Sequence, residues 1–347
     1  MRRLVMTDLR RLELREGPAP QPPAGWLRLR MVASALGLTQ LQLLSGWIST
    51  GGLPRVLGHE MVGRVVEHGA GVTDPPLGSL VVADCLFGCG RCARCLEGSE
   101  VICPSLRMIG YTIDGGYADE VVVPAANVFV LPPATPPAEA VLLASAVPSA
   151  VRVVARAGVR PGDRVIVVGA GSIGTLAAQV ARAHGASVVL ADLDPQRLAD
   201  LEGEIGTVAL GKDEPPSEAR ARLLAAAAAE DGADVAIEAA GADEALELAF
   251  AVTRPGGTLL AAGLPPGPLA FSARTAREAV VQEITIRGSF AFSRTDFPRT
   301  IELYLQGRLD LARVTARPVA LAEVPDTVER MLREGTAGRR HPVLVGV

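Results

Sequence analysis

The chain has 347 residues, of which 49% are hydrophobic, 3% are aromatic and 21% are charged, and its formal net charge is −4 at pH 7. At about 150 residues per domain this length predicts roughly two domains, and the hydrophobic share excludes a disordered chain. The acidic balance argues against a nucleic-acid partner, which requires a basic surface. No apolar stretch approaches the roughly 18 residues of a membrane span, and the charged start lacks the apolar run of a signal peptide. We therefore expect a cytoplasmic protein with no membrane partner.

Residues 1–148 contain short apolar runs that are interrupted by Pro and Gly, for example at 27–32 and 61–66. This pattern predicts a mostly antiparallel, barrel-like domain. The tail, residues 288–347, alternates in the same way and is expected to return to that domain.

All five cysteines fall within a short segment that starts at Cys85. In a cytosolic chain such a cluster is more typical of a metal site than of disulfides or an iron–sulfur cluster, which are the alternatives. Four thiolates close a tetrahedron around Zn²⁺, so the spacing predicts one structural zinc ion, with backbone freedom supplied by Gly90 and Gly98. The predicted ligands are Cys89, Cys92, Cys95 and Cys103. Cys85 is left over and is expected to be a small buried apolar side chain.

A strand at 164–168 is followed at once by the glycine motif of a dinucleotide-binding turn, and then by a helical pattern that ends at Gly185. Gly169 would turn the chain out of the strand, Gly171 would let a pyrophosphate approach the backbone, and Gly174 would let helix and strand pack closely. A second strand, 187–191, ends at Asp192.

Asp192 is expected to accept hydrogen bonds from the adenosine ribose and to repel a 2′-phosphate, which favours NAD(H) over NADP(H). Arg197 is a nearby cation that could weaken this preference. The other candidate cofactor contacts are Ser172, Ile173, Ala240 and Gly263. Further strands at 234–238, 257–261 and 284–286 predict a doubly wound parallel sheet over residues 149–287, which makes the chain an α/β protein.

Several motifs spread over nearly the whole chain accompany the cysteines and the glycine motif; they lie at 58–66, 114–118, 234–241 and 254–258. Together they resemble the medium-chain dehydrogenase/reductase superfamily, in its zinc-containing alcohol and polyol dehydrogenase branch. The resemblance implies a GroES-like catalytic domain (1–148 and 288–347) and a Rossmann domain (149–287), with the active site in the cleft between them. It also implies a small-molecule substrate and a homodimer or homotetramer.

Members of that branch usually hold a catalytic zinc with the Cys of a segment like Ile-Cys-Gly-Thr-Asp, the His of Gly-His-Glu, and a later Cys or Glu. Here the first segment reads Leu-Gly-Leu-Thr-Gln, with Gly37 at the Cys position, and the third position falls at or near Ser145. Only His59 remains. Because a catalytic zinc needs three protein ligands, we predict one structural zinc per chain and no catalytic zinc.

A relocated zinc site that uses His59, Glu60 and Cys85 is the alternative. It is disfavoured because adjacent residues of a strand point to opposite faces.

Without that metal, the substrate proton needs another carrier. By resemblance, Thr39 stands where the family keeps a hydroxyl that passes this proton to solvent. His59 could act as general acid or base, oriented by Glu60. Alternatively, Thr39 is an ordinary turn hydroxyl and His59 has no chemical role. Tyr111 or Asp114 could lie nearby. The resemblance also implies that the position four residues before the first cysteine of the group lines the substrate pocket, which would make Cys85 part of the pocket wall.

Three functions follow from this reading. The first is a zinc-independent dehydrogenase or reductase that uses NAD(H) and a substrate activated in another way, such as an enone, an iminium ion or a hydroxyl beside an electron-withdrawing group. The second is a zinc-dependent alcohol or polyol dehydrogenase with an unorthodox site. The third is a non-catalytic NAD(H) sensor.

Overall fold

The computed structural model describes residues 1–199, 201, 205–264, 270–312, 315–334 and 341–345. These residues form 18 strands and 11 α-helices. The strands are β1 (Arg2–Asp8), β2 (Arg11–Glu16), β3 (Trp26–Ala35), β4 (Arg55–Val56), β5 (Met61–His68), β6 (Leu80–Ala83), β7 (Leu86–Phe87), β8 (Arg107–Met108), β9 (Glu120–Pro124), β10 (Val128–Val130), β11 (Arg164–Val168), β12 (Ser187–Asp192), β13 (Gly206–Ala209), β14 (Ala233–Glu238), β15 (Thr253–Ala261), β16 (Thr285–Gly288), β17 (Thr315–Val319) and β18 (His341–Val345). The helices are α1 (Leu38–Leu44), α2 (Ala93–Leu96), α3 (Pro137–Ala140), α4 (Ala146–Ala157), α5 (Ser172–Ala183), α6 (Pro195–Ala199), α7 (Pro216–Ala226), α8 (Asp243–Val252), α9 (Ala273–Val281), α10 (Phe297–Leu305) and α11 (Val324–Glu334).

The first compact unit comprises Met1–Ser145, Ser293–Ile301 and Leu311–Val347. Its largest sheet has the strand order β10-β6-β5-β3-β18-β17, with β9 paired to β3, and only β17 and β18 run parallel. The long strand β3 lies in the interior of this sheet, where it pairs with β5, β9 and β18. Along most of its length, its side chains alternate between buried and more exposed positions, as the pleat of a strand requires. The predicted antiparallel character of this part of the chain is confirmed.

The second compact unit comprises Ala146–Phe292 and Glu302–Asp310. Its sheet is entirely parallel, with the order β13-β12-β11-β14-β15-β16. Numbered from β11, this is the 3-2-1-4-5-6 order of a doubly wound dinucleotide-binding fold. The apolar runs of β11, β12 and β14 are buried because helices cover both faces of such a sheet. The predicted α/β fold class is confirmed.

Several predicted elements match closely, and two differ at their ends. Strand β11 has the predicted bounds, and α5 ends at Ala183 before Gly185, which has φ +96°. Strand β15 begins at Thr253, earlier than predicted, because its first residues pair irregularly with β14. Strand β16 covers Thr285–Gly288 rather than 284–286.

The domain limits at 148/149 and 287/288 remain a prediction. The two compact units divide at 145/146 and 292/293, and residues Glu302–Asp310 also belong to the second unit. Within the described residues, no single helix is long and apolar enough to cross a membrane. Among these residues, one bent pair of helical segments, Pro137–Ala144 and Ala146–Ala157, reaches the length and apolar composition of a membrane span when the two segments are counted together.

Candidate active site

The loop after β11 carries the glycines of the predicted nucleotide-binding motif. Gly169 has φ +108°, a left-handed conformation that favours glycine. A Cβ at Gly174 would overlap the carbonyl oxygen of Gly169, so α5 can pack here only with glycine. A Cβ at Gly171, the N-cap of α5, would meet no heavy atom within 4 Å. The start of α5, at Ser172 and Ile173, therefore has open space before it, where a phosphate could approach the positive end of the helix.

Asp192 ends β12 next to this loop and is 9% exposed. Its Oδ2 accepts a hydrogen bond from the backbone N–H of Ala170 at 2.6 Å, and its Oδ1 accepts one from that of Asp194 at 2.8 Å. Nη1 of Arg197 lies 3.6 Å from Oδ2. The acid therefore holds the glycine loop in place, a contact that sequence reasoning did not anticipate. Arg197 is the cation that the sequence predicted near Asp192, and it lies beside that carboxyl group.

Glu238 is a second acid at the carboxyl end of the parallel sheet, and sequence reasoning missed its role. It is fully buried, and its Oε1 accepts hydrogen bonds from the backbone N–H groups of Ala240 at 2.6 Å and Gly241 at 2.5 Å. Its Oε2 accepts one from Gly263 at 3.2 Å. One carboxylate thus connects the two loops that carry the predicted cofactor contacts Ala240 and Gly263. The sequence did contain a signal for this role, because Glu238 is an acid at the end of an otherwise apolar strand.

The four predicted zinc ligands converge in the first unit. Their Sγ atoms all lie within 4.8 Å of one another, and they are free thiols, not disulfides. Sγ of Cys92 lies 3.6 Å from that of Cys95 and 3.8 Å from that of Cys103. A tetrahedron with Zn–S bonds of about 2.3 Å has edges of about 3.8 Å, so these thiols fit one zinc ion. Within the described residues, no other group of three or more His, Cys, Asp or Glu ligand atoms comes this close together.

The turns that bring these thiols together depend on glycine. Gly90 and Gly98 both have φ +72°. A Cβ at Gly88 would overlap the sulfur of Cys95, a constraint that the sequence did not reveal. Beyond the thiols, Oε1 of Glu100 accepts a hydrogen bond from the backbone N–H of Arg294 at 2.6 Å. The cysteine segment is therefore connected to a stretch of the same unit that lies far along the chain.

A second cluster of polar side chains surrounds His59. Gly58 positions this residue, since it has φ +95° and a Cβ there would lie 2.6 Å from the ring of Tyr117. The His59 ring is 5% exposed and meets the ring of Tyr111 edge-on, with the centroids 5.4 Å apart. A side-chain hydrogen bond joins Tyr111 to Thr39. The predicted residues Thr39 and His59 are thus connected through Tyr111.

Glu60 also belongs to this cluster, and here one expectation was wrong. His59 and Glu60 precede β5, which begins at Met61, so they do not alternate as strand residues do. Their side chains approach each other, with Oε1 of Glu60 4.0 Å from Nε2 of His59. The expectation that the two side chains point to opposite faces fails because the chain is still irregular at this point.

Burial raises the pKa of Glu60 to about 7, while a hydrogen bond with Ser145 acts in the opposite direction. The carboxyl is therefore poised to gain and lose a proton near neutral pH. Ser145 was considered only as a vacant ligand position, and its contact with Glu60 was not foreseen. Burial, together with Asp84 and Glu60, raises the pKa of the fully buried Cys85 thiol well above its usual value, as suits an unreactive apolar side chain.

Asp114 makes its hydrogen bonds to another segment. Its Oδ1 accepts hydrogen bonds from the backbone N–H of Val56 at 3.0 Å and from Nη1 of Arg55 at 3.3 Å. Of the two residues named from the sequence as possible neighbours of His59, Tyr111 is the one whose ring contacts it.

Gln40 is the remaining member of the cluster, and sequence reasoning missed it. It is fully buried in the first turn of α1. Its Oε1 accepts a hydrogen bond from the backbone N–H of Gly37 at 3.0 Å, and its Nε2 contacts Nδ1 of His59. The signal was present, since Gln40 stands at the last position of the segment compared with Ile-Cys-Gly-Thr-Asp.

These side chains do not form a three-ligand zinc site. Gly37 offers no side chain, and Ser145 offers a neutral hydroxyl that is engaged with Glu60. The ligand atoms of His59, Glu60 and Cys85 are not among the described groups close enough to hold one ion. The donor set therefore does not fit a catalytic zinc, which needs three protein ligands and an open position.

Two families match the chain by sequence. Residues 23–133 match the alcohol dehydrogenase GroES-like domain, and residues 172–306 match the zinc-binding dehydrogenase family. An alcohol dehydrogenase from Moraxella sp. (strain TAE123) is 32% identical over 331 residues, which is 94% of each chain. L-galactonate-5-dehydrogenase from Escherichia coli (strain K12) is 32% identical over 277 residues, which is 80% of this chain and 79% of that protein.

Solved structures agree with these matches. The alcohol dehydrogenase TADH from Thermus sp. ATN1 superposes with a TM-score of 0.87 at 27% identity, covering 100% of both chains. A chain described as a zinc-binding dehydrogenase from Sinorhizobium meliloti 1021, bound to NADP, has a TM-score of 0.87 at 25% identity and covers 99% of this chain and 98% of its own.

Proposed function

This chain belongs to the medium-chain dehydrogenase/reductase superfamily of NAD(P)-dependent alcohol and polyol dehydrogenase-like oxidoreductases, and on that premise we propose that it transfers a hydride between NAD(H) and a small organic substrate without a catalytic zinc ion. The observation that carries the proposal is the cluster around His59. It keeps an imidazole, a hydroxyl and a carboxyl that titrates near neutrality, but Gly37 and Ser145 stand at two of the three positions where the family usually has zinc ligands.

NAD(H) is the proposed cofactor, bound by the second unit. The open space at Gly171 and the start of α5 suits the pyrophosphate. The carboxylate of Asp192 suits a ribose with free hydroxyls better than one with a 2′-phosphate. Arg197 offsets part of this charge, so the preference is expected to be moderate. The relative from Sinorhizobium meliloti was solved with NADP.

One zinc ion is proposed for the four thiols near Gly88, with a structural role. Thiolates from all four cysteines complete the tetrahedron, which leaves no position for a substrate. The ion would hold the segment from Cys89 to Cys103, which among the described residues contains only short helices and turns.

When bound, NAD(H) would supply the hydride that a substrate carbon gains, or accept the hydride that it loses. The chain's own residues handle the matching proton. When a carbonyl or an enone is reduced, Glu60 in its protonated form supplies the proton that the substrate oxygen gains. In the direction of oxidation, the Glu60 carboxylate takes it back. An iminium ion needs no proton, because the hydride alone neutralises it. His59 and the hydroxyl of Thr39 hold the heteroatom by hydrogen bonds, and Tyr111 fixes the position of Thr39.

The absence of a metal Lewis acid limits the substrates. Zn²⁺ stabilises the developing charge on an alcohol oxygen by several kcal/mol, and neutral hydrogen bonds replace only part of that stabilisation. We therefore propose substrates that are already activated: conjugated enones, iminium ions, or carbonyls and hydroxyls beside an electron-withdrawing group.

The proposal is tested by counting zinc and following NADH absorbance on the same preparation. We expect one zinc per chain, and NADH oxidation with at least one compound in a panel of enones, iminium ions and activated ketones. Two tightly held zinc ions, with turnover lost on chelation and regained with zinc, would establish the zinc-dependent alternative, for which the 4.0 Å approach of His59 and Glu60 is the supporting contact. Tight NADH binding without turnover would establish a sensor.

Self-association is also proposed, as a homodimer or homotetramer. Strand β16 ends the parallel sheet with all its residues exposed, including Ile286, and the end of α9 exposes Val280 and Val281. No other described strand pairs with this edge of β16, and an open sheet edge with exposed apolar side chains is a surface that folded proteins usually cover. Light scattering coupled to gel filtration measures the mass, and a monomer at micromolar concentration would reject the proposal.

A further inference from the structure

The orientation of the Gln40 side-chain amide is determined by its backbone partner. The N–H of Gly37 can only donate, so the atom that it meets at 3.0 Å must be the amide oxygen. Turning the amide over would place two donors against each other in a fully buried site and leave both without an acceptor, which is unfavourable. The NH₂ group of Gln40 therefore faces His59.

This NH₂ group determines which nitrogen of His59 carries the proton. The atom that it contacts is Nδ1. Because the amide nitrogen can only donate, Nδ1 must accept through its lone pair. In the neutral imidazole the proton then lies on Nε2, the nitrogen that is 4.0 Å from Oε1 of Glu60.

A zinc ligand requires the opposite arrangement. A histidine that binds zinc through Nε2 presents a lone pair there, and its Nδ1–H donates to a carboxylate, a carbonyl or a water. The segment compared with Ile-Cys-Gly-Thr-Asp ends here in an amide rather than in the carboxylate that could accept this bond. Gln40 therefore does not supply the acceptor that a zinc-bound His59 would need. Gly37 and Ser145 likewise do not supply the zinc ligands that usually stand at the other two positions.

We propose that Gln40 is a positioning residue that keeps His59 in its Nε2–H form, so that His59 serves as a neutral hydrogen-bond donor to the substrate's acceptor atom and not as a metal ligand. The proposal rests on the proposed function and deepens it. A neutral imidazole that polarises a carbonyl is a known catalytic arrangement. It favours substrates whose reacting group ends in an acceptor, which among the proposed classes means ketones and enones.

In the direction of reduction, NADH would give up a hydride from its own C–H bond and leave as NAD⁺. As the new C–H bond forms on the substrate, the C=O π electrons move to oxygen. The proton on Glu60 forms the O–H bond and leaves a carboxylate. His59 keeps its own proton throughout, so the step balances without an imidazolate. Among the described residues, Tyr111, Tyr117 and Cys85 are further ionisable groups of this cluster, and burial raises the pKa of each above its ordinary value, so each holds its proton more firmly than Glu60 does.

The test reads the tautomer directly. The chain has four histidines, so labelling with ¹⁵N-histidine gives few ring signals by NMR, and His59→Asn identifies the pair that belongs to His59. In the full-length protein at neutral pH we expect Nε2 of His59 to be protonated and Nδ1 to be unprotonated. An Nδ1–H signal in the unmodified protein would overturn the proposal, and this measurement needs neither substrate nor turnover.

The matched variants are Gln40→Glu and Gln42→Glu. Gln40→Glu keeps the shape and the acceptor for Gly37, but offers His59 a carboxylate, so the proton is expected to move to Nδ1 and reductive kcat to fall about 100-fold. Gln42 is also buried on α1, and Gln42→Glu should change neither the His59 signals nor kcat by more than about threefold. Unchanged His59 signals in Gln40→Glu would overturn the proposal. If the His59 signals behave as expected but NADH is not oxidised with any substrate, the proposed function is rejected and the role of Gln40 in setting the tautomer of His59 is retained.

Discussion

Oε1 of Glu60 lies 4.0 Å from Nε2 of His59, although the two residues are neighbours in the chain, and burial raises the pKa of this carboxyl to about 7. As the pH rises through 7, Glu60 loses the proton that reduction requires. We therefore expect reductive kcat/KM to fall above pH 7, while the rate of oxidation rises over the same range.

Glu60→Gln should remove this pH dependence and lower reductive kcat by about 10²–10⁴-fold. Glu67→Gln is the control, because Glu67 lies on β5 and pairs with Arg28, outside the cluster. The measurement is the initial rate of NADH oxidation between pH 5 and pH 9. A Glu60→Gln profile that still falls above pH 7 would assign the titration to another group.

A second buried carboxyl should govern stability instead of rate. Asp84 is fully buried; its Oδ1 accepts from the N–H of Leu86 at 2.8 Å, and its Oδ2 has no hydrogen-bond partner among the described residues. Burial raises the pKa of Asp84 to about 8. Because this value exceeds that of the unfolded chain, the stability that Asp84 contributes is complete below about pH 4 and is lost as the pH rises through 8.

Asp84→Asn cannot ionise, so its stability relative to the unmodified protein should increase from pH 4 to pH 8 and then level off. Urea unfolding at pH 5 and at pH 8.5 measures the difference. Asp163→Asn, at an exposed turn where Oδ2 accepts from the N–H of Arg160, is the control. If the gap between Asp84→Asn and the unmodified protein is the same at both pH values, Asp84 does not titrate as described.

Replacing one thiolate should release the proposed zinc. Cys103→Ser is expected to reduce the zinc content from one ion per chain to none and to lower the melting temperature, because the ion's binding free energy stabilises the folded state. Cys85→Ala removes the one cysteine outside the group and should leave the zinc content at one. Zinc is measured by mass spectrometry after dialysis. Retention of a full ion by Cys103→Ser would exclude the four-thiolate site.

Two glycines of the nucleotide loop should behave differently when replaced by alanine. A Cβ at Gly174 overlaps the carbonyl oxygen of Gly169, so Gly174→Ala should destabilise the protein by about 1–3 kcal/mol. A Cβ at Gly171 enters open space, so Gly171→Ala should leave the melting temperature unchanged and weaken NADH binding at least tenfold. Thermal unfolding and NADH fluorescence titration separate these effects. Unchanged NADH affinity in Gly171→Ala would place the pyrophosphate elsewhere.

The same titration tests the choice of nucleotide. Asp192→Asn should narrow the preference for NADH over NADPH, since it removes the charge that faces a 2′-phosphate. Asp194→Asn is the control, because Asp194 also lies near Arg197 but bonds to the N–H of Gln196. If Asp194→Asn alters the ratio of the two dissociation constants as much as Asp192→Asn does, then Asp192 does not select the nucleotide.

The parallel sheet and the cysteine group could be predicted because each depends on local spacing. An apolar run followed at once by glycines and a helical period specifies β11, its turn and α5 without information from distant residues. The four cysteines likewise lie within one short segment. Gly88 was missed because its constraint comes from the sulfur of Cys95 across the folded loop.

The cluster around His59 could not be assembled from the sequence, because its members come from four separate segments. Thr39 and Gln40 begin α1, Glu60 precedes β5, Tyr111 follows β8 and Ser145 follows α3. The alternation rule failed at 59–60 because neither residue belongs to a strand: β5 begins only at Met61. Likewise, nothing local to Glu238 shows that its carboxylate reaches Gly263.

The bond between Glu100 and the N–H of Arg294 joins residues 194 positions apart, and both belong to the first unit. Most of the chain between them belongs to the second unit, so the larger part of that unit is inserted within the sequence of the first. The entropy of closing such a long segment grows only with the logarithm of its length, by about 0.6 kcal/mol for each doubling. Surface loops of the inserted unit can consequently lengthen or shorten at little cost to the host unit.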